Sequence, residues 1–552
     1  MSNFDPQLLN SREKLLTPQT SFRATLEAHG VYDAQRFVVR LSPLVHTQLN
    51  SLPNGVNFAT GMSREQVQAY STYLHETVHW WQHIGSTCGF MLSLSFPAQT
   101  HANIPRLKEF LTKVGPVKSV FEYVAKGSGS GGDPDTPQGV ANIIVNNRFD
   151  IQAYRFLATN PDRAQPLVNE PLFESVGHAY QIAIGQGLLA LANTVDPTSE
   201  TLPHPRDWEA DYAKLREERY EGFYYGSPIS LSPIGAHHIF EGQARFVQLQ
   251  YLHFGSGGRF EWDDAEKLGM MGPIYTVAFE VFLKQSGLQK PASIDDPIVG
   301  LFLIICDIAM NPGEGFPLPI WSAKTFLSDV DPGIRFVQLS AVVRLFCPEV
   351  AKAIQKYDAE EYEAVSSALC TPLRTYTPLD NCRAIAKWVA QGDGIQTCLA
   401  RHEIGAVGKG NVAIDLLFGQ FLSYSRDKLQ HPHILCWPGA AMAGKNLSEE
   451  SAGVMSRQSP LFIDRAEDEM IVPVIRAGLD EATVHETFQA FYSAQALYDL
   501  TFQWIARPGE FTYDYRWLQP NGSATQMKIW ASGGFERLYG VSPDQFRLLA
   551  EA

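Results

Sequence analysis

The stretch from Leu74 to Gly85, LHETVHWWQHIG, determines how the rest of the sequence is interpreted. It contains His75, Glu76 and His79 in the order H-E-x-x-H. On a helix, residues four apart project from one face about one turn apart, so both imidazoles can reach the same zinc ion. Glu76 lies to the side of that pair, where a carboxylate can take a proton from a water that the metal acidifies.

The surrounding sequence predicts that this motif lies on a helix. Ser63 followed by Gln66 is typical of a capping box, and neither Gly nor Pro occurs from there until Gly85. Trp80 and Trp81 directly follow the motif. Because burying two imidazoles and a carboxylate beside tryptophans costs free energy without a compensating partner, the sequence favours a metal site over a chance match.

A third metal ligand has to come from another segment. The metzincin pattern is excluded because Gly85 stands where its third histidine would be. Two glutamates remain as candidates, Glu174 and Glu241. Glu174 is nearer to the motif along the chain, whereas Glu241 is followed by the small residues Gly242 and Ala244, which permit a close helix approach. The local context favours Glu241.

These two segments together resemble the zincin superfamily of metallopeptidases, in the version that uses glutamate as the third ligand. The matching pattern is H-E-x-x-H-x-x-Q with a later E-G-x-A, formed by His75, Glu76, His79, Gln82, Glu241, Gly242 and Ala244. The resemblance implies that His75, His79 and Glu241 bind Zn²⁺ and that Glu76 is the general base. Thermolysin-like members carry Asp four residues after the glutamate ligand, whereas this chain has Arg245. Support for the ligand histidines must therefore come from elsewhere.

Three further residues are candidates for supporting roles. Gln82 and His238 are candidates to hold the metal ligands in place from behind, and Tyr225 is a candidate to stabilise an oxyanion. An ordinary helix histidine is an equal alternative for His238. For Tyr225, aromatic packing is the more common role.

Composition restricts the class of protein. The chain has 552 residues and a formal net charge of −15, which argues against nucleic acid as a partner. The N-terminus does not resemble a signal peptide, and the longest apolar run, Ile298 to Cys306, is too short to span a bilayer. The chain has seven cysteines, an odd number, and no C-x-x-C pair. This pattern argues against a disulfide framework and fits a protein of the reducing cytoplasm.

The expected fold class is α+β and predominantly helical. Two early strands are predicted over 22–28 and 36–41, and a late β-hairpin over 511–517 and 524–530. A segment rich in Pro and Gly suggests two domains. The first, 1–325, would be a zincin-like metallohydrolase domain that includes the strands, and the second, 326–552, a mainly helical region.

The sequence thus predicts a cytoplasmic zinc-dependent peptidase acting on peptide or protein substrates, with no membrane and no nucleic-acid partner. By resemblance, the early strands would lie beside the cleft, where an exposed edge can hold an extended peptide. The C-terminal region is expected to restrict access, bind a regulatory protein partner or select the substrate. The alternative is a non-catalytic zinc-containing interaction protein that keeps a zincin-like fold, although a structural zinc site does not require Glu76.

Overall fold

The computed structural model describes residues 28–52, 61–127 and 133–549, without the side chain of Lys445. Helices make up 65% of the structure and strands 4%, so the prediction of a predominantly helical chain with a little β-structure is confirmed. Of the strand predicted over 22–28, residues 22–27 lie outside the described residues, and Ala28 lies in a bend.

The secondary structure elements are numbered in chain order. The strands of the described residues are β1 (Gly30–Asp33), β2 (Val38–Leu41), β3 (Val117–Lys118), β4 (Phe462–Asp464), β5 (Ile471–Pro473) and β6 (Arg547–Leu548). The first α-helices are α1 (Pro43–Asn50), α2 (Arg64–Gly85), α3 (Thr87–Val114), α4 (Val120–Lys126), α5 (Pro137–Thr159), α6 (Gln165–Val168), α7 (Val176–Val195), α8 (Arg206–Glu217), α9 (Ala236–Gly255), α10 (Trp262–Lys267), α11 (Pro273–Ser286) and α12 (Pro297–Met310). The later ones are α13 (Phe326–Val330), α14 (Pro332–Leu345), α15 (Ala359–Cys370), α16 (Pro378–Gln391), α17 (Asp393–Glu403), α18 (Val412–Gln430), α19 (Pro432–Cys436), α20 (Pro438–Ala441), α21 (Glu449–Arg457), α22 (Glu481–Ala506) and α23 (Ala524–Tyr539).

A small mixed sheet joins the two halves of the chain. Its order is β1-β2-β4-β5, with β2 and β4 parallel and the outer pairs antiparallel. Asp464 of β4 reinforces the junction, because its carboxylate accepts a hydrogen bond from the Leu41 amide at 3.1 Å. Within the described residues, β1 therefore forms an edge of this sheet and lies against α2.

Helix α2 begins as its sequence predicts and extends through Gly85, which was expected to lie just beyond its end; Ser86 is the C-cap. Ser63 and Gln66 form the reciprocal capping box, with distances of 2.8 and 3.2 Å, and Gly85 is the last helical residue. The helix is surrounded by α1, α3, α9 and α18. Trp80 and Trp81 are almost completely buried, and the Trp81 indole donates a hydrogen bond to the Gln458 carbonyl at 2.7 Å.

Helix α12 is the apolar segment at the centre of the protein. Asp296 caps its N-terminus by accepting from the Ile298 amide, Pro297 occupies its first position, and every residue from Val299 to Met310 is buried. The surrounding core contains side chains from both sides of position 325, such as Trp80 and Trp437. The division into 1–325 and 326–552 stays a prediction. None of the described helices combines the length and hydropathy needed to cross a bilayer.

The predicted late hairpin is wrong. Residues 511–517 form loop and turn, and 524–539 form helix α23, capped by Ser523. The side chain of Gln503 in α22 replaces a partner strand, because it accepts from the Thr512 amide at 2.8 Å and donates to the Thr512 carbonyl at 3.0 Å. The alternating aromatic residues, among them Phe511 and Tyr515, pack on α22 and α23 instead of on a sheet.

The close contact of α2 with α18 gives a stability prediction. A Cβ added at Gly85 would overlap the ring of Tyr424, which is itself buried. We expect Gly85→Ala to lower the free energy of unfolding by about 1–2 kcal/mol, because overpacking outweighs the gain in helix propensity. The measurement is chemical denaturation.

Gly453→Ala is the matched control for this substitution. Gly453 lies inside α21, where an added Cβ would meet only the flexible end of Arg457 at 3.3 Å. This variant should be neutral or slightly stabilised. Equal effects in the two variants would contradict the packing argument.

Candidate metal centre

The two histidines of the H-E-x-x-H motif face each other on one side of α2. Their Nε2 atoms are 3.2 Å apart, and their rings meet edge to face with centroids 4.8 Å apart. Both side chains are buried, His75 with 7% and His79 with 8% of its surface exposed. The helical spacing therefore brings two imidazole nitrogens to one point inside the protein.

Helix α9 brings Glu241 to the same point. Its Oε2 atom lies 3.9 Å from Nε2 of His75 and 3.7 Å from Nε2 of His79. Ligands about 2.0–2.2 Å from a tetrahedral zinc are separated from one another by about 3.3 Å, so these distances fit three ligands of one ion. Among the described residues, these three are the group of His, Cys, Asp and Glu side chains arranged to hold a metal.

Gln82 orients His79 from behind. Its Oε1 atom lies 2.8 Å from Nδ1 of His79, while its Nε2 donates to the Phe240 carbonyl at 3.0 Å and to Gln243 at 2.9 Å. Because a carbonyl can only accept, the amide is fixed with its oxygen toward the imidazole. His79 then carries its proton on Nδ1, which leaves the Nε2 lone pair directed at the cluster.

Glu76 is buried beside the cluster but is not part of it. A Cβ on Gly30 of β1 would lie 2.7 Å from Cγ and 2.8 Å from Oε1 of Glu76, so the strand passes directly over this carboxyl group. Burial raises the pKa of Glu76 to about 7, against the opposing effects of His79 and of the Tyr32 backbone. A carboxyl group with a pKa in this range can both accept and return a proton near neutral pH.

The three clustered groups have strongly shifted pKa values. Burial, helped by the charges of His79 and Arg245, holds the pKa of His75 well below its usual value. Burial also lowers the pKa of His79, but the neighbouring Glu241 outweighs it and raises this pKa to about 9. Burial raises and His79 lowers the pKa of Glu241, which falls to about 2. Without a cation at this point, His79 and Glu241 therefore form an ion pair.

Two residues near the cluster were not identified from the sequence as part of it. Arg245 is buried one helical turn after Glu241, with its guanidinium 3.9 Å from the centre of the Tyr275 ring. The Tyr275 ring lies 6.1 Å from the ring of His75. Arg245 could have been predicted to lie near the cluster, because it is one helical turn after Glu241. Tyr275 of α11 is distant in sequence, so no sequence pattern places it there.

The other predicted residues are not members of the cluster. His238 accepts a hydrogen bond from the Gly235 amide at 3.4 Å near the N-terminus of α9, and Tyr225 has 70% of its surface exposed. Glu174, the alternative third ligand, lies 3.6 Å from His178 and 3.8 Å from Arg216.

The small residue after Glu241 has a different role from the one expected. A Cβ on Gly242 would lie 3.2 Å from Ala278 and 3.3 Å from Phe302. Gly242 therefore allows α11 and α12 to approach α9, rather than allowing α9 to approach the histidines.

Comparison with protein-family models, curated proteins and solved structures finds no match for this sequence. The chemistry of the site therefore has to be argued from its residues.

The geometry predicts about one zinc ion per chain, because three protein ligands and one further position make up a tetrahedral site. We expect His79→Ala and Glu241→Ala to lose this metal, as measured by elemental analysis of protein purified without added zinc. Glu174→Ala is the matched control and should keep it. A fully loaded His79→Ala variant would contradict the assignment, and a Glu174→Ala variant without metal would identify the other glutamate as the ligand.

Proposed function

We propose that the protein is a zinc-dependent peptidase with a zincin-like arrangement of its metal-binding helices. The observation that carries this proposal is the convergence of His75, His79 and Glu241 from two helices, with Glu76 buried beside them and outside the ligand set. A purely structural site fills its coordination sphere with protein ligands, whereas three ligands and an adjacent free carboxyl group are typical of catalytic zinc.

The exposure of Glu241 to solvent supports an open fourth coordination position on the metal. The side chain of Glu241 is 20% exposed, whereas both histidine side chains are buried. When bound, zinc would supply the Lewis acidity that polarises a scissile carbonyl and activates a water molecule. Gln82 would keep the His79 imidazole in the tautomer that binds metal through Nε2.

Glu76 would carry the proton in this reaction. Its carboxylate would accept a proton from the attacking water and then donate it to the leaving amine, which completes peptide hydrolysis. The edge strand β1 would place the substrate. Gly30 of this strand packs on Glu76, and a strand edge can bind an extended peptide through main-chain hydrogen bonds. The seven buried, unpaired thiols support the expectation of a reducing, cytoplasmic compartment.

The substitution Glu76→Gln separates an enzyme from a zinc-containing interaction protein. It keeps the shape of the side chain but removes its basicity, so we expect unchanged folding and zinc content with peptide hydrolysis reduced by at least about a hundredfold. Turnover would be measured on a peptide library by mass spectrometry.

Glu486→Gln provides the matched control, because Glu486 follows a histidine in another His-Glu-Thr sequence but lies exposed on α22. Its activity should equal that of the natural protein. Hydrolysis that survives Glu76→Gln at full rate would exclude Glu76 as the base and favour a structural zinc site.

The contact between β1 and Glu76 predicts a second effect on turnover. Gly30→Ala would press a methyl group against the Glu76 carboxylate, and a displacement on the scale of 1 Å can cost about a hundredfold in rate. We expect turnover to fall by about tenfold to a hundredfold with zinc retained. Gly410→Ala, where an added Cβ meets nothing within 4 Å, should leave the rate unchanged. Equal rates for both variants would show that β1 does not position Glu76.

A further inference from the structure

A large cleft opens on the side of the protein that faces α3, α5 and α22. Its volume is about 590 Å³, and the loop that follows α22 closes one end of it. Aromatic side chains form much of its wall, namely Phe96, Phe156, Tyr498, Phe502 and Trp517. A cleft of this size and lining suits a short segment of peptide with an aromatic or large apolar side chain.

Arg155 of α5 is the unusual residue of this wall. Its guanidinium stacks on Phe96, 3.6 Å from the ring centre. Within the described residues this guanidinium has neither an ion-pair partner nor a hydrogen-bond acceptor, although 26 other ion pairs occur there. Burial without a nearby carboxylate lowers its pKa to about 10. Arg155 is half-buried, so its guanidinium can still be reached from the cleft. A partly desolvated arginine without a carboxylate partner in the protein suits a ligand that supplies an anion.

The acidic groups of the cleft are already engaged. Asp499 accepts hydrogen bonds from Gln503 at 2.8 Å and from the Tyr515 hydroxyl at 3.1 Å. Asp514 forms a two-pronged ion pair with Arg516, at 2.7 Å for each contact. Neither carboxylate forms an ion pair with Arg155, so its planar fork is available to an external carboxylate.

Strand β1 connects the cleft with the candidate metal centre. Gln35 and Arg36, which line the cleft, follow β1 within three residues, and Gly30 of the same strand packs on Glu76. The positive charge of Arg155 also contributes to lowering the pKa of His83, one helical turn beyond His79. The ring of Tyr32, on the same strand, lies 5.3 Å from the ring of His83. The same strand therefore connects the general base to the cleft.

We infer that this cleft binds the carboxyl-terminal part of a peptide substrate, with a carboxylate of that peptide held by Arg155 and an aromatic side chain held by the neighbouring rings. In naming the ligand a substrate, the inference rests on the proposed peptidase function. The carboxylate has two sources, the C-terminus of the peptide or an acidic side chain within it, and both present the same planar group to the arginine.

Binding can be measured without turnover by isothermal titration calorimetry in the Glu76→Gln background. The probes are N-acetyl-Ala-Ala-Phe with a free carboxylate, the same peptide as its C-terminal amide, and the amide of N-acetyl-Ala-Glu-Phe. We expect a peptide with a carboxylate to bind at least about tenfold more tightly than the uncharged amide, the scale of a lost charged hydrogen bond. Tighter binding of the free acid would identify the C-terminal carboxylate as the ligand of Arg155. Tighter binding of the glutamate peptide would identify an acidic side chain.

Three variants test the role of Arg155 in that preference. Arg155→Gln should abolish the difference between the charged and uncharged peptides, and Arg155→Lys, which keeps the charge but loses the fork, should retain part of it. Arg465→Gln is the control, because Arg465 is an exposed arginine paired with Asp468. If circular dichroism shows that Arg155→Gln does not fold, the test uses Arg155→Lys alone. Its preference for the charged peptides should then be weaker than that of the natural protein but still present.

Several results would overturn the inference. Equal binding of all three peptides, or a carboxylate preference that survives in Arg155→Gln and Arg155→Lys, would show that Arg155 does not hold the ligand. Binding of a single-stranded oligonucleotide that depends on Arg155, without binding of the peptides, would assign the cleft to a different ligand. A carboxylate preference that depends on Arg155 in a protein without peptide hydrolysis would support the binding site while refuting the peptidase function.

Discussion

The buried side-chain amide of Gln82 joins the two helices that form the candidate metal centre. Its oxygen faces His79 on α2, and its nitrogen donates to the Phe240 carbonyl on α9. Leaving such a group unpaired would cost about 1–3 kcal/mol, so the two helices are held in one register. Glu241 is the residue after Phe240, and the same register therefore brings its carboxylate to the two histidines. A single amide thus orients one ligand and positions another.

The electrostatics of the cluster follow from its burial. His75, Glu76 and His79 are each less than 10% exposed, and Glu241 lies beside them. An unpaired ion in such surroundings costs several kcal/mol, so the groups either share protons or bind a cation. The resulting pKa values differ between the two glutamates. The pKa of Glu241 falls to about 2, which suits the proposed metal ligand, while that of Glu76 rises to about 7, which suits the proposed general base.

Local sequence signals predicted the elements that depend on local chemistry. The capping box at Ser63 and the cap and proline that begin α12 are present as the sequence indicates. The late hairpin was wrong because a side chain distant in sequence, Gln503, satisfies the backbone of Thr512. The alternating aromatic residues there pack on two helices. A period of two in hydrophobicity does not distinguish such packing from a β-strand.

At the site, the candidate ligands could be predicted from the sequence, but the residues that surround them could not. His75 and His79 follow from helical spacing alone, and Glu241 was favoured over Glu174 for a reason that the structure revises, since Gly242 faces α11 and α12. Tyr275 and Arg155 lie on helices whose approach to the site is set by tertiary packing. Neither has a neighbour in sequence that could indicate its role.

Strand β1 links the parts of the protein that function would require to act together. One end of it covers Glu76, and the residues after it line the cleft that contains Arg155. Its partner β2 pairs with β4, which comes from the C-terminal half of the chain. The loop that carries Trp517 closes the same cleft, and Arg36 stacks on that tryptophan at 4.5 Å. The C-terminal half therefore builds one wall of the cleft and supports the strand that packs on Glu76, so under the proposed function it would select the substrate by its position.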